Sequence, residues 1–370
     1  MKRMVKAAVM TKPGEIQIQE FPYPSLKEGD LLMRMEMSGI CGTDKHSFRG
    51  ESKLYVGTKF EREFGYPIIP GHENVGIVEE VIGERKDYYG VTLKVGDRIV
   101  MWPDVICGTC FYCRNEVGYG FPWCENISTY GVDISCVEPP HLYGGWAEYM
   151  YISPKVFLYK VPENIPPEVA VFVELMSFFY GLDNVGDTVV VQGVGPLGLC
   201  QVVKARAIGA GDIITVDKSN YRLEMASNFG ADYCFNVNDM SREERIQRVK
   251  ELTDGRGADL VVECVGIPDV VPEGIEMLRK GGRYIEMGNY VDAGMIQINV
   301  HRHLCTKSIR LVGVSNHPYK GIGPALKYLS KYLDSVPVAK LISHRFKLPE
   351  AELAMKTSMM ENSMKVVICP

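Results

Sequence analysis

What the chain lacks narrows it first. No stretch approaches the roughly 18 consecutive apolar residues that a membrane span needs, so a membrane protein is not expected. The opening Met1-Lys2-Arg3-Met4-Val5-Lys6 is basic, but no apolar core or small-residue cleavage site follows it, and it does not read as a secretion signal. Nor is there an excess of positive charge. Lys and Arg number 41 against 46 Asp and Glu, a formal net charge of -5, which argues against nucleic acid or an anionic membrane as a partner. Repeats and low-complexity linkers are also absent. The expectation is a soluble cytoplasmic protein. Its 370 residues, 46% hydrophobic and 24% charged, suit a globular enzyme with room for two domains.

Cysteine is the residue in surplus. The count is 11, odd, in a chain with no secretion signal, which argues against a disulfide framework. Cys107, Cys110, Cys113 and Cys124 crowd into 18 residues with spacing C-x2-C-x2-C-x10-C. Four thiolates so close can close a tetrahedral zinc site, and a saturated site is structural. A nucleic-acid-binding zinc ribbon does not suit an acidic chain with few basic neighbours around the cluster. Cys200, Cys234 and Cys264 sit singly in apolar or strand-like settings and are expected in the core.

Two textures divide the chain. Residues 1–160 read as short strands between Gly/Pro turns, with strands at Val5–Val9, Ile16–Glu20, Leu31–Met37, Val75–Val81 and Arg98–Met101, a β-rich first domain. Over 161–315 a helix opened by Pro166 and running through Val169–Tyr180 is followed by six strands alternating with helices. The strands are Thr188–Gln192, Asp212–Val216, Tyr233–Asn236, Leu260–Glu263, Arg283–Met287 and Ile309–Val312. That alternation predicts a doubly wound parallel sheet of six strands, so the fold class is α/β with two domains. The tail, 316–370, holds a helix at Pro324–Leu333, a strand near His344–Leu348, a helix from Pro349 and a closing strand Met364–Cys369. It is expected to return to the first domain.

The glycine motif Gly193-Val194-Gly195-Pro196-Leu197-Gly198 follows a buried strand and opens a helix. Gly193 permits the tight turn, Gly195 lets a pyrophosphate approach, and Gly198 lets helix and strand pack. Phosphates would sit at the helix N-terminus. Asp217 ends the next strand, 24 residues after Gly193. A carboxylate there accepts from an adenosine ribose and repels a 2′-phosphate, which favours NAD over NADP. Lys218 and Arg222 lie close enough to soften that preference, and the bland alternative is that Asp217 caps the next helix.

A second stretch, Gly39-Ile40-Cys41-Gly42-Thr43-Asp44-Lys45-His46, sets a thiol, a hydroxyl, a carboxylate and an imidazole within six residues. Alone it proves little. Gly71-His72-Glu73 and, within an apolar run, Glu174 supply the histidine and carboxylates that complete an open zinc site around one thiolate. An unpartnered Glu174 there would be costly, although a turn histidine and a helix-surface carboxylate are the plainer readings.

Together these motifs, with the closing Lys365-Val366-Val367, identify the chain as resembling the zinc-dependent medium-chain alcohol dehydrogenases, nearest the sorbitol, threonine and glucose dehydrogenase branch. The resemblance spans the full length. It implies a GroES-like catalytic domain and a Rossmann domain binding NAD, with two zinc ions per chain, one catalytic and one structural. It also implies Cys41 and His72 as catalytic-zinc ligands, with Glu174 and Glu73 completing the set; which of the two carboxylates lies closer stays open. Thr43 would contact the substrate alcohol, His46 would pass its proton onward, and Asp44 would orient a ligand histidine. Arg222, Val265 and Gly288 join the glycine motif in lining the cofactor site. A homodimer or homotetramer is also implied.

Three departures stand out: Leu175-Met176 where the family has Pro, 31 residues from Cys41 to His72, and a late fourth cysteine with Gly118, Tyr119 and Gly120 in its loop. The insert around Phe48–Tyr66 is expected at the substrate mouth, and Arg49 and Lys53 in it could meet an anion or simply be surface cations. The expected reaction is hydride transfer between NAD and a secondary alcohol: a polyol, sugar, sugar acid or amino-alcohol acid. Two readings compete: a zinc-independent quinone or enone reductase, which would lack Cys41, His72 and Glu174, and a non-enzymatic structural protein, which needs no open metal site.

Overall fold

The computed structural model describes residues 3–51, 53–54, 56–57, 61–115, 123–178 and 181–370. The chain divides into two compact units, Met1–Phe178 with His317–Pro370, and Phe179–Asn316. The first unit therefore continues past residue 160, where the strand-rich texture stops. Among the described residues no helix is long and apolar enough to cross a membrane.

In the first unit a seven-stranded sheet runs in the order Leu158–Lys160, Arg98–Met101, Glu73–Val81, Leu31–Gly39, Lys365–Cys369 and Ile342–Lys347, with Tyr149–Ile152 also paired to Leu31–Gly39. The central strand reads almost continuously apolar because neighbours cover it on both faces; Leu31, Leu32 and Met33 are fully buried. Its last residue is where three strands meet. Gly39 stands opposite Glu73 on one side and Val367 on the other. The closing strand thus returns across nearly the whole chain to lie beside the Cys41 stretch. The chain then turns at Ile40 and enters the helix Gly42–Arg49, which Gly50 ends in the left-handed conformation at φ 69°, where a glycine is favoured.

The structure departs from the sequence-based expectations at several points. The helix expected through Val169–Tyr180 is two short helices, Pro167–Ala170 and Val173–Met176; Phe179 and Tyr180 lie outside the described residues. Valine and phenylalanine are weak helix formers, and burial of Val169, Ala170, Phe172 and Val173 holds the segment instead. The tail helix begins at Tyr319 and carries Pro324 inside it. Its buried face, Ile322, Ala325, Leu326 and Leu329, anchors it despite the missing N–H. In the long insert Phe48, Leu54 and Phe64 join the core beneath the hairpin Met4–Lys12/Glu15–Pro22, so these apolar residues serve packing. Arg49 pairs with Glu51 and Lys53 with Glu61. Ser52, Tyr55, Thr58, Lys59 and Phe60 of the insert lie outside the described residues, as do Gly118, Tyr119 and Gly120 of the cysteine loop.

The second unit is a fully parallel six-stranded sheet in the order Tyr233–Asn236, Ile213–Asp217, Val189–Gln192, Ala258–Glu263, Leu278–Glu286 and Arg310–Gly313. Numbered along the chain this is 3-2-1-4-5-6, the doubly wound order. Val189, Val190 and Val191 are fully buried, as a central strand between helices requires. Cys200 is buried, but Cys234 is exposed: its strand is the sheet's outer edge, which strips it of the cover expected for a core thiol.

Candidate active site

The strand register brings the metal-ligand residue types together. Ligand atoms of Cys41, His72 and Glu73 lie within 4.8 Å of one another. Cys41 follows the end of one strand and His72 precedes the start of its antiparallel neighbour, so Gly39 opposite Glu73 fixes their approach. Asp44 then ties the helix to this corner. Its Oδ2 accepts from Cys41 N at 2.8 Å and its Oδ1 stands 3.9 Å from His72 Nδ1. Burial raises the Asp44 pKa, against the pull of His72. Burial also opposes charge on His72, but Cys41, Asp44 and Glu174 outweigh it and hold that histidine well above its ordinary value. Such a field draws in a cation.

A zinc ion fits these donors. Thiolate, imidazole and carboxylate are its usual set, and Glu73 Oε1 is buried with no hydrogen-bond partner among the described residues, a rare condition for a polar atom. The other oxygen, Oε2, is bonded to the Lys365 ammonium, and both side chains are essentially fully buried. Gly39 makes room for that pair: a Cβ there would stand 2.0 Å from Glu73 Oε2 and 2.8 Å from Lys365 Cε.

Glu174 stands apart from the three-residue group. Its Oε1 pairs with His317 Nδ1 at 2.9 Å. Burial opposes its ionisation, but His317 draws its pKa down to about 2. Thr43 Oγ1 lies 3.9 Å from Cys41 Sγ. His46 Nδ1 pairs with Glu51 Oε2 at 3.0 Å. Among the described residues no hydrogen bond joins Thr43 to His46, so a proton passing between them needs an intermediary.

The four cysteines also converge, with Cys110 Sγ 3.5 Å and Cys107 Sγ 4.0 Å from Cys113 Sγ. Those separations match the edges of a tetrahedron with Zn–S of about 2.3 Å. Hydrogen bonds from Thr109 and the Cys110 N–H bring Cys107 down to about 5, while burial and then the facing thiols push Cys113 up to about 12.

In the second unit Gly193 turns at φ 81°, and a Cβ on Gly198 would collide with Gly193 O at 1.8 Å. A Cβ on Gly195 would meet nothing nearer than Arg222 Nη1 at 3.9 Å. This is the open cradle a pyrophosphate needs at the start of the helix Pro196–Ala207. Asp217 accepts from Val194 N at 2.8 Å and from Ser219 N at 2.9 Å, so it braces the glycine turn and keeps lone pairs for a ribose. Val265 and Gly288 are drawn together by Glu263, whose carboxylate accepts from Val265 N, Gly266 N and Gly288 N.

The chain resembles known proteins over most of its length. Residues 27–163 match the alcohol dehydrogenase GroES-like domain and residues 196–322 the zinc-binding dehydrogenase family. The chain is 33% identical to 5-exo-hydroxycamphor dehydrogenase of Pseudomonas putida, covering 95% of this chain and 94% of that one. It is 30% identical to erythritol/L-threitol dehydrogenase of Mycolicibacterium smegmatis, covering 99% and 98%. An alcohol dehydrogenase structure from Thermotoga maritima superimposes with a TM-score of 0.90 at 33% identity over both full chains. The chain belongs to the zinc-dependent medium-chain alcohol dehydrogenases. It is therefore an alcohol dehydrogenase, an enzyme of zinc and a nicotinamide cofactor.

Sequence reasoning misses four residues of these sites: Lys365, His317, Glu51 and Glu263. In the sequence Lys365 opens the closing segment Lys365-Val366-Val367, with nothing to mark its partner. Glu51 carries a local signal, an acid five residues after His46 at a helix end. Glu263 does too, as an acid closing a buried strand before Cys264-Val265-Gly266. His317 carries none.

Proposed function

We propose that the enzyme interconverts a secondary alcohol and its ketone with NAD, using Cys41, His72 and Glu73 as the protein ligands of its catalytic zinc. The convergence of those three residues within 4.8 Å carries this reading. Zinc, when bound, supplies Lewis acidity, which favours ionisation of an alcohol near neutral pH as it does of water. NAD supplies the hydride acceptor. The chain's own residues do the rest. Thr43 accepts the alcohol proton at its hydroxyl and gives up its own to an intermediary such as water, from which His46, held by Glu51, passes a proton towards solvent. Asp44 orients the His72 ring, and Lys365 keeps one Glu73 oxygen engaged so that the other faces the metal. Cys107, Cys110, Cys113 and Cys124 hold the second, structural zinc.

Asp217 supports NAD over NADP, since its carboxylate repels a 2′-phosphate. Gly193, Gly195, Pro196, Leu197 and Gly198 seat the pyrophosphate beside Arg222, with Val265 and Gly288 towards the nicotinamide end. Relatives named for erythritol, L-threitol and 5-exo-hydroxycamphor support a hydroxyl-bearing substrate of the polyol or related class. A homodimer or homotetramer is supported by the edge strand Arg310–Gly313, all four of whose residues are exposed. Replacing Cys41 with Ser tests the core of the proposal: one of two bound zinc ions and nearly all turnover should be lost. Unchanged zinc content with unchanged turnover would sink it.

A further inference from the structure

Beside the zinc ligands lies a buried ion pair with two loose ends. His317 is 5% exposed. Its carbonyl accepts from the fully buried Trp102 Nε1 at 3.1 Å, its Nδ1 meets Glu174 Oε1 at 2.9 Å, and the Phe178 ring packs against it at 5.9 Å between centroids. The imidazole is thus fixed at its backbone, one nitrogen and one edge. Its remaining nitrogen, Nε2, is buried without a hydrogen-bond partner among the described residues, and so is Glu174 Oε2. Buried polar atoms are rarely left so, and both belong to one pair. Glu174 feels the charges of His72 and Lys365 as well as His317, so the pair lies within electrostatic reach of the metal-ligand residues.

We propose that His317 is a specificity-determining residue, its Nε2 binding a second substrate hydroxyl next to the carbinol while Glu174 holds its other nitrogen, so that the enzyme selects vicinal diols and polyols. This rests on the zinc-dehydrogenase reading. The chemistry favours a hydroxyl over a carboxylate. A hydroxyl both donates and accepts, so it satisfies Nε2 whether or not that nitrogen carries a proton, and it can donate to Glu174 Oε2 as well. A substrate carboxylate could only accept, and it would meet Glu174 and the buried Asp104, which also acts on His317. A plain secondary alcohol leaves both atoms unsatisfied, and a site built around a hydroxyl discriminates against the analogue lacking one.

The test compares a four-carbon vicinal diol with the matching secondary butanol, in native protein, His317→Phe and His317→Gln. Native protein should prefer the diol by at least about tenfold in kcat/KM. His317→Phe should reduce that ratio about tenfold, chiefly through the KM of the diol, and His317→Gln should restore part of it. Calorimetric titration of diol into the zinc-loaded protein without nucleotide should show the same loss of affinity, at unchanged zinc content. An unaltered ratio, or an equal fall for both alcohols, overturns the proposal; if the phenylalanine variant does not fold, the glutamine variant decides. If native protein oxidises neither alcohol and Cys41→Ser is indistinguishable from it, the dehydrogenase reading fails, and this inference with it.

Discussion

Lys365 and Glu73 form an ion pair with almost no access to water. Breaking such a pair by removing one partner is expensive, because the other charge stays buried and uncompensated. Lys365→Met should therefore destabilise the protein by about 3–5 kcal/mol in urea unfolding. The loss should be larger in zinc-stripped protein than in zinc-loaded protein, since a metal beside Glu73 supplies some of the missing positive charge. Equal losses in the two forms would place Glu73 outside the metal site. Cys41 and His72 are readable at this scale because each stands beside a glycine with telling polar neighbours, Thr43, Asp44 and His46 near one and Glu73 beside the other. Lys365 and His317 are not, because a lysine or a histidine in a string of ordinary residues carries no mark of its partner. Lys365 meets Glu73 across 292 positions of chain.

At the scale of elements, neighbouring parallel strands place Glu263 directly opposite Glu286. Burial first, and then the second carboxylate, push Glu263 from its ordinary 4.5 up to about 8. The folded protein therefore keeps a proton that the unfolded chain gives up, and stability falls as pH rises from about 4.5 to about 8. Replacing Glu286 with Gln should flatten that decline, measured as the urea midpoint at several pH values through the window; an unchanged slope would remove the pair as its cause. The glycine turn gives a second prediction. Asp217 braces Val194 as well as facing the ribose site, so Asp217→Ala should raise the KM for NAD and narrow the preference over NADP. An NADP preference already present in the native protein would overturn the assignment. Strands and helices of this unit are legible because burial on both faces leaves continuous apolar runs, and glycine and proline punctuate them. The helix around Glu174 is shorter than its sequence suggests because tertiary burial, not helix propensity, shapes Pro167–Met176.

For the whole molecule, the exposed edge Arg310–Gly313, with Leu311 and Val312 open to solvent, is a strand with unpaired backbone groups. Leu311→Lys should shift the protein towards monomer in sedimentation equilibrium while leaving bound zinc unchanged. An unaltered mass would overturn this edge as the contact of the proposed oligomer.

By itself the sequence determined the two textures, the doubly wound sheet, the glycine turn with its acid, the four-cysteine cluster, and the residue types of an open zinc site. Each is written locally, in spacing, periodicity or the chemistry of a few adjacent side chains. Only the tertiary structure decided which carboxylate stands with Cys41 and His72, Glu73 rather than Glu174, and that Lys365 and His317 stand behind the two acids. Those choices depend on the register of Gly39 between Glu73 and Val367 and on the tail's return to the first sheet. They are long-range pairings, set by packing between residues far apart in the chain, which no local pattern records.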